Sequence, residues 1–137
     1  MAALVPELAV TDWARSRAFY VDLLGFAARY DRPEEGFSYL DLNGAELMID
    51  QLGLGRDFDQ GFAHPFGRGV NLSIKVEDAA ALAATLLAAG HALHLPLEDR
   101  WYGVGDQQTG NRQFIIADPD GYLLRFVTDL GRRSPPR

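Results

Sequence analysis

One pattern occurs twice in this chain of 137 residues. A short apolar segment ends at an aspartate, a helical stretch follows, and a glycine closes it: Val5–Val10, Asp12, Trp13–Leu24 and Gly25 in the first half, then Val70–Val76, Asp78, Ala79–Ala89 and Gly90 in the second. Each aspartate is placed to accept the unpaired N–H groups of a first helical turn, and each glycine stands where a helix ends in the left-handed conformation. Asp12 recurs as Asp78 at an offset of 66 and Gly25 as Gly90 at an offset of 65, a recurrence too regular for two unrelated units. Repeats of this kind decide the fold before any local propensity does.

Strand-like segments follow each helix. In the first half they are Phe26–Tyr30, Phe37–Leu42 and Glu46–Gln51, the last two joined by Asn43-Gly44, the dipeptide that favours a two-residue hairpin turn. In the second half they are Ala92–Leu97, Arg112–Ala117 and Tyr122–Thr128, with Asp118-Pro119-Asp120-Gly121 as the turn before the last. Each half therefore reads as a β-α-β-β-β unit. The expected organisation is a single domain over 1–128, with modules at about 3–52 and 69–128, a linking loop at 53–68, and a frayed basic tail at 129–137. The glycine-rich stretch from Leu52 to Gly69 carries Phe58, Phe62 and Phe66; loops of that length inside small domains are usually functional, and these rings favour an ordered one.

Composition narrows the chemistry. Nineteen acidic against thirteen basic side chains give a net charge of −6, a surface that repels phosphate backbones and disfavours nucleic acid as a partner. It suits a cationic small molecule better. The absence of cysteine removes disulfides, thiolate nucleophiles and cysteine-bound zinc. The longest apolar run, Ala79–Ala89, is broken by Thr85 and is too short to span a bilayer, and the opening Met-Ala-Ala-Leu-Val-Pro lacks a basic signal region, so a cytoplasmic domain is expected. No Ser lies in a G-x-S-x-G elbow, and the glycine pairs Gly53/Gly55, Gly67/Gly69 and Gly103/Gly105 lack the rest of a phosphate-loop pattern.

The repeat, with the strings Val10-Thr11-Asp12, Ser16-x-x-Phe19-Tyr20-x-x-Leu23-Leu24-Gly25-Phe26 and Asp118-Pro119-Asp120-Gly121-Tyr122-Leu123-Leu124-Arg125-Phe126, resembles the vicinal-oxygen-chelate superfamily of glyoxalases, extradiol dioxygenases and bleomycin- and fosfomycin-resistance proteins. The resemblance covers about residues 4–128. It implies an α+β fold in which tandem βαβββ modules form an open, curled, mixed β-sheet barrel with flanking helices. Catalytic relatives place four metal ligands on the first and last strands of each module. Carried over one position at a time, these fall on Val5, Asp50, Asn71 and Arg125. Valine offers no donor atom and arginine stays protonated, so the resemblance points away from a metal cofactor and from catalytic residues. Asp50 and Arg125 are instead expected to pair as opposite charges where an ion would otherwise sit.

What remains is similar to the bleomycin-resistance branch, in which a homodimer sequesters a drug in a groove at its interface, often exchanging the N-terminal strand. The implied function is non-catalytic capture of a cationic aromatic antibiotic. The alternatives are a metal-dependent enzyme of the same superfamily, glyoxalase-like lyase or extradiol dioxygenase, or a metabolite sensor.

Candidate contacts follow from that reading. Trp101 and Tyr102, in the glycine-flanked stretch Arg-Trp-Tyr-Gly, form an aromatic pair for stacking on a ligand or for plugging the end of the barrel. Tyr39 and Asp41 alternate with Leu40 and Leu42 and so share one strand face; Gln113 shares a face with Ile115. Glu98, Asp99 and Asp106 would make the groove mouth negative, or form a solvated acidic loop. Phe62 is a candidate contact, whereas one or two of the three loop phenylalanines are expected to anchor the loop. His64, His91 and His94 miss every ligand position of the superfamily and read as surface or packing residues. The ligand-binding set is thus Trp101, Tyr102, Tyr39, Asp41, Asp50, Asn71, Gln113, Arg125 and Phe62.

Overall fold

The computed structural model describes residues 1–54 and 61–136. Phe58 lies outside the described residues. The chain divides into two compact units, Met1–Arg68 with Asp118–Tyr122, and Gly69–Ala117 with Leu123–Arg137.

The first unit opens with strand β1 (Glu7–Val10) and helix α1 (Trp13–Ala18), whose N-cap Asp12 accepts the Arg15 N–H at 3.1 Å. The sequence predicts a helix to Leu24. The α-helix stops at Ala18 and continues as a wider π-helical turn over Phe19–Leu23, closed by the Leu24 N–H on the Phe19 carbonyl. The wider turn lets the consecutive rings of Phe19 and Tyr20 both face inward, and both are buried. Strands β2 (Ala27–Arg32), β3 (Phe37–Leu42) and β4 (Ala45–Gln51) complete a sheet of order β1-β4-β3-β2, with β1 parallel to β4 and the other pairs antiparallel. Asn43 and Gly44 both take positive φ, 50° and 95°, as a type I′ turn requires. One sheet face and the helix enclose Leu8, Val10, Leu40, Leu47, Ile49, Tyr20, Leu24 and Phe26.

The turn Asp118–Tyr122, which the sequence places in the second module, belongs to this first unit. Asp118 Oδ1 accepts the N–H groups of Asp120 and Tyr122, and its Oδ2 accepts the Tyr20 hydroxyl at 2.7 Å. Asp120 accepts both the N–H and the hydroxyl of Thr11, and the Tyr122 hydroxyl donates to the Ala9 carbonyl. The two acids of the turn therefore tie the β1–α1 corner. Phe66 anchors the linking loop beside them: its N–H donates to the Asp120 carbonyl and its ring meets Tyr122 edge-on.

The second unit repeats the topology with β5 (Asn71–Lys75), α2 (Ala79–Ala88), β6 (Leu95–Val104), β7 (Gln107–Ala117) and β8 (Leu123–Arg133) in the order β5-β8-β7-β6. Asp78 caps α2 by accepting the Ala81 N–H. Ile74, Ala79, Ala83, Leu86, Phe114, Ile116, Leu124 and Phe126 form the core, with the Phe114 and Phe126 rings stacked at 5.5 Å. The fold is α+β: two mixed four-stranded sheets, each open with two edge strands, β1 and β2 or β5 and β6.

Three strands of this unit outrun the sequence reading. β6 starts at Leu95 rather than Ala92 and reaches Val104, β7 begins at Gln107 rather than Arg112, and β8 continues to Arg133. Residues 129–133 are thus paired strand rather than frayed tail. The extension rests on main-chain hydrogen bonding between polar, largely exposed residues, a ladder that leaves no apolar alternation in the sequence.

Candidate functional site

Strand alternation separates the two faces of each sheet. In the first unit, α1 covers the face of Ser38 and Asp31: the Trp13 indole N–H donates to Ser38 Oγ at 2.7 Å, and Arg17 grips Asp31 with two bonds of 3.0 Å. That fork holds the Asp31 carboxyl below its ordinary range. The opposite face carries Tyr30, Arg32, Phe37, Tyr39, Asp41, Glu46, Met48 and Asp50 in register.

On that face the sheet builds an aromatic stack. The Tyr30 ring stacks against both Phe37 and Tyr39, with centroids 6.0 and 5.3 Å away and planes within 29° and 21°. Arg32 sits over both Phe37 and Tyr30, at 4.7 and 5.3 Å, and Arg29 sits 5.8 Å from the Tyr39 centroid. A bulge between Ala28 and Tyr30 breaks the β2–β3 register at Arg29. Arg29 bridges Asp41 at 3.3 Å and Glu46 at 3.0 Å, and Glu46 accepts the Tyr39 hydroxyl at 2.6 Å. The bond to Glu46 pushes the Tyr39 phenol up to about 12. Tyr39 is 2% exposed and Tyr30 46%, so the stack has a buried foundation and an open ring. Asp41 is not the bare acid the alternation suggests, since Arg29 neutralises it. Asp50 is buried opposite Phe37 and Ala9.

The second unit presents a polar face. Gln113, 1% exposed, donates its amide to Glu98 Oε1 at 3.0 Å and to the Tyr102 hydroxyl at 2.8 Å. Beside it an open cleft of about 360 Å³ is lined by Ser73, Ile74, Lys75, Thr109, Asn111, Arg125, Val127 and Asp129. Asn71 is exposed, one register step from this cleft, opposite Leu123.

Trp101 and Tyr102 stand on strand β6, not on a loop, so consecutive side chains point to opposite faces and the two rings cannot stack on one guest. Tyr102 joins the Gln113 face. Trp101 lies against Gly110, where a Cβ would come within 2.6 Å of its ring, and Arg133 sits 3.9 Å from its centroid. Asp99 forks with Arg112, which lowers its carboxyl, and Asp106 lies exposed in the β6–β7 turn. Phe62 is 41% exposed and rests on Phe66 at 5.3 Å.

The strand registers also revise one position of the metal set. Arg125 lies opposite Ser73 in the second sheet; Ser73 corresponds to Glu7 at the repeat offset of 66, and Glu7 lies opposite Met48. The first-module counterpart of Arg125 is therefore Met48, two residues before Asp50. Neither choice makes a cation site: valine, asparagine and arginine stand at the other positions, and the donor set does not fit a divalent ion. Among the described residues no cluster of three His, Asp or Glu is placed to hold one.

Four residues that sequence reasoning missed, Arg29, Tyr30, Arg32 and Glu46, supply the two arginines, the exposed ring and the bonded acid of the first face. Their signal was present in the alternation of Tyr30 and Arg32 against Asp31, but a strand rich in charge and poor in apolar residues reads as solvent-facing.

The sequence pattern of the glyoxalase/bleomycin resistance protein/dioxygenase superfamily matches residues 3–126. No curated protein matches the chain at significant similarity. A superfamily member of that name from Vibrio splendidus is 36% identical over 92% of this chain and 97% of its own, with a TM-score of 0.44. TioX from Micromonospora is 26% identical over 95% of this chain and all of its own, with a TM-score of 0.72. A protein of unknown function from Agrobacterium tumefaciens is 26% identical over 95% of both chains, with a TM-score of 0.70. With the duplicated β-α-β-β-β topology and a pattern match spanning nearly its whole length, the chain belongs to the glyoxalase/bleomycin resistance protein/dioxygenase superfamily.

Proposed function

We propose that this protein is a non-catalytic member of its superfamily, a homodimer that sequesters a planar, cationic aromatic antibiotic of the bleomycin type. The observation that carries the reading is the stack of Phe37, Tyr30 and Tyr39, whose Tyr30 ring stays 46% exposed beside Arg32. A flat heterocycle extends such a stack with little loss of side-chain freedom, because Tyr39 is already fixed by Glu46 and Arg29 beneath it. Attraction for a cation comes from the net charge of −6 as a whole, since Asp41, Glu46 and Asp99 are each engaged by an arginine. The four positions that hold a metal in catalytic relatives carry side chains unsuited to one, and the groups around the stack are tied in ion pairs rather than poised to move a proton. Tyr102 and Gln113 are offered as polar contacts of the same guest class.

Calorimetric titration with bleomycin tests the reading. Binding at micromolar concentration or tighter is expected, and Tyr30→Ala is expected to weaken it at least tenfold, about 1.4 kcal/mol. Unchanged affinity in that variant removes the stack from the site. No heat and no rise in melting temperature with bleomycin or other planar cationic antibiotics retires the proposal.

A further inference from the structure

The second unit holds a feature that the aromatic reading does not use. Arg125 projects into the open cleft from the middle of β8, and its Nε–H is buried without a hydrogen-bond partner. Its neighbours in register are Ser73 on β5 and Ile115 on β7, both uncharged, and it forms no ion pair among the described residues. Several other guanidinium groups meet carboxylates or rings: Arg17 with Asp31, Arg29 with Asp41 and Glu46, Arg112 with Asp99, Arg133 with Trp101. A buried guanidinium N–H left without an acceptor destabilises the folded chain, and an incoming acceptor removes that cost.

The surroundings specify which acceptor. Lys75 supplies a second positive charge, two residues along β5 from Ser73, and Ser73, Thr109 and Asn111 add neutral donors around the same space. Among the described residues Asp129 is the cleft's one acid; it lies four residues along β8 from Arg125, and its Oδ1 accepts the Gly131 N–H at 2.8 Å. In a chain of net charge −6, two cations facing one cleft form a local inversion of sign. A planar guanidinium with a neighbouring ammonium is matched to an oxyanion, which accepts several donors at once. The cleft volume of about 360 Å³ leaves room for the body of a small organic molecule behind that group.

We infer that the cleft of the second unit is an oxyanion subsite, in which Arg125 and Lys75 bind the carboxylate or phosphate of a small organic ligand, with Ser73 and Asn111 as neutral donors. This goes beyond the aromatic reading and stands on different residues in a different unit.

The test uses the full chain, benzoate and inorganic phosphate as probes, and benzyl alcohol as a neutral counterpart of benzoate. Arginine Nε–H signals are followed by ¹H–¹⁵N NMR, that of Arg125 being the one missing from R125Q. Saturable shifts of the Arg125 signal with benzoate, phosphate or both are expected, and whichever binds more tightly names the ligand class. Measured by calorimetric titration, R125Q and Lys75→Ala should each weaken anion binding, R125Q at least tenfold, while R132Q, at an exposed arginine outside the cleft, should not. Lys75 is exposed, so its truncation keeps the proposal testable should R125Q fail to fold. No shift of the Arg125 signal up to about 50 mM of either anion overturns the inference, because such binding is weaker than any specific contact here requires. Equal shifts with benzyl alcohol, or equal weakening by R132Q, overturn it too. Bleomycin binding without an anion response leaves the aromatic reading standing and this one refuted; an anion response without bleomycin binding does the reverse.

Discussion

At the scale of single residues, Asp118 has the most to lose. Burial pushes its carboxyl above the ordinary value of 3.8, although Tyr20 and two backbone N–H groups favour the charged form. The same burial, with the Asp118 charge beside it, pushes the Tyr20 phenol well above its ordinary value. A carboxyl whose folded pKa exceeds its unfolded one binds its proton more tightly in the folded chain. Its contribution is therefore fully present below the unfolded pKa and is lost as pH rises through the higher folded one. Urea midpoints measured upward from pH 3.8 should show that decline, and Asp118→Asn, which does not titrate, should abolish it. Asp31 has the opposite sign: its lowered carboxyl stabilises above the unfolded pKa and fails only as pH falls through a value below 3.8. Tyr20→Phe removes the buried hydroxyl and strands Asp118 Oδ2, so it should cost about 1–3 kcal/mol in urea unfolding. An unchanged midpoint would show that water replaces the phenol.

At the scale of elements, the long β6–β7–β8 arm depends on a glycine opposite an indole. Gly110 faces Trp101 across the β6–β7 pair, and any side chain there meets the ring at 2.6–2.8 Å. Gly110→Ala should displace Trp101 from beneath Arg133, weaken the near-ultraviolet tryptophan signal and cost about 1–3 kcal/mol. If the signal and the unfolding midpoint both stay put, the indole is not held by this contact. Because the rings of Trp101 and Tyr102 take opposite faces of β6, the first is a packing element of the arm and the second belongs to the Gln113 network. The sequence shows the two as neighbours, and only the strand assignment separates them.

At the scale of the whole molecule, the proposal requires a homodimer, so light scattering should give about twice the chain mass of 15.1 kDa. A monomer at micromolar concentration would remove the interfacial groove while leaving each sheet face as described. No helix among the described residues is long and apolar enough to cross a membrane. The repeat, both helix caps, the Asn43-Gly44 turn and the Asp-Pro-Asp-Gly turn were legible because caps and tight turns are local chemistry, fixed by which residues can satisfy nearby N–H groups or adopt positive φ. Those features determined the α+β fold, and the residues at the metal positions ground the proposal of a non-catalytic role. The tertiary structure decided the rest: that Tyr30 stacks on Tyr39 between two arginines, that Asp41 is already neutralised, that Met48 rather than Asp50 answers Arg125, and that Arg125 keeps a buried N–H without an acceptor. Each depends on which residues meet across strands, and that register is set by pairing and packing between segments far apart in the chain, which no local pattern encodes.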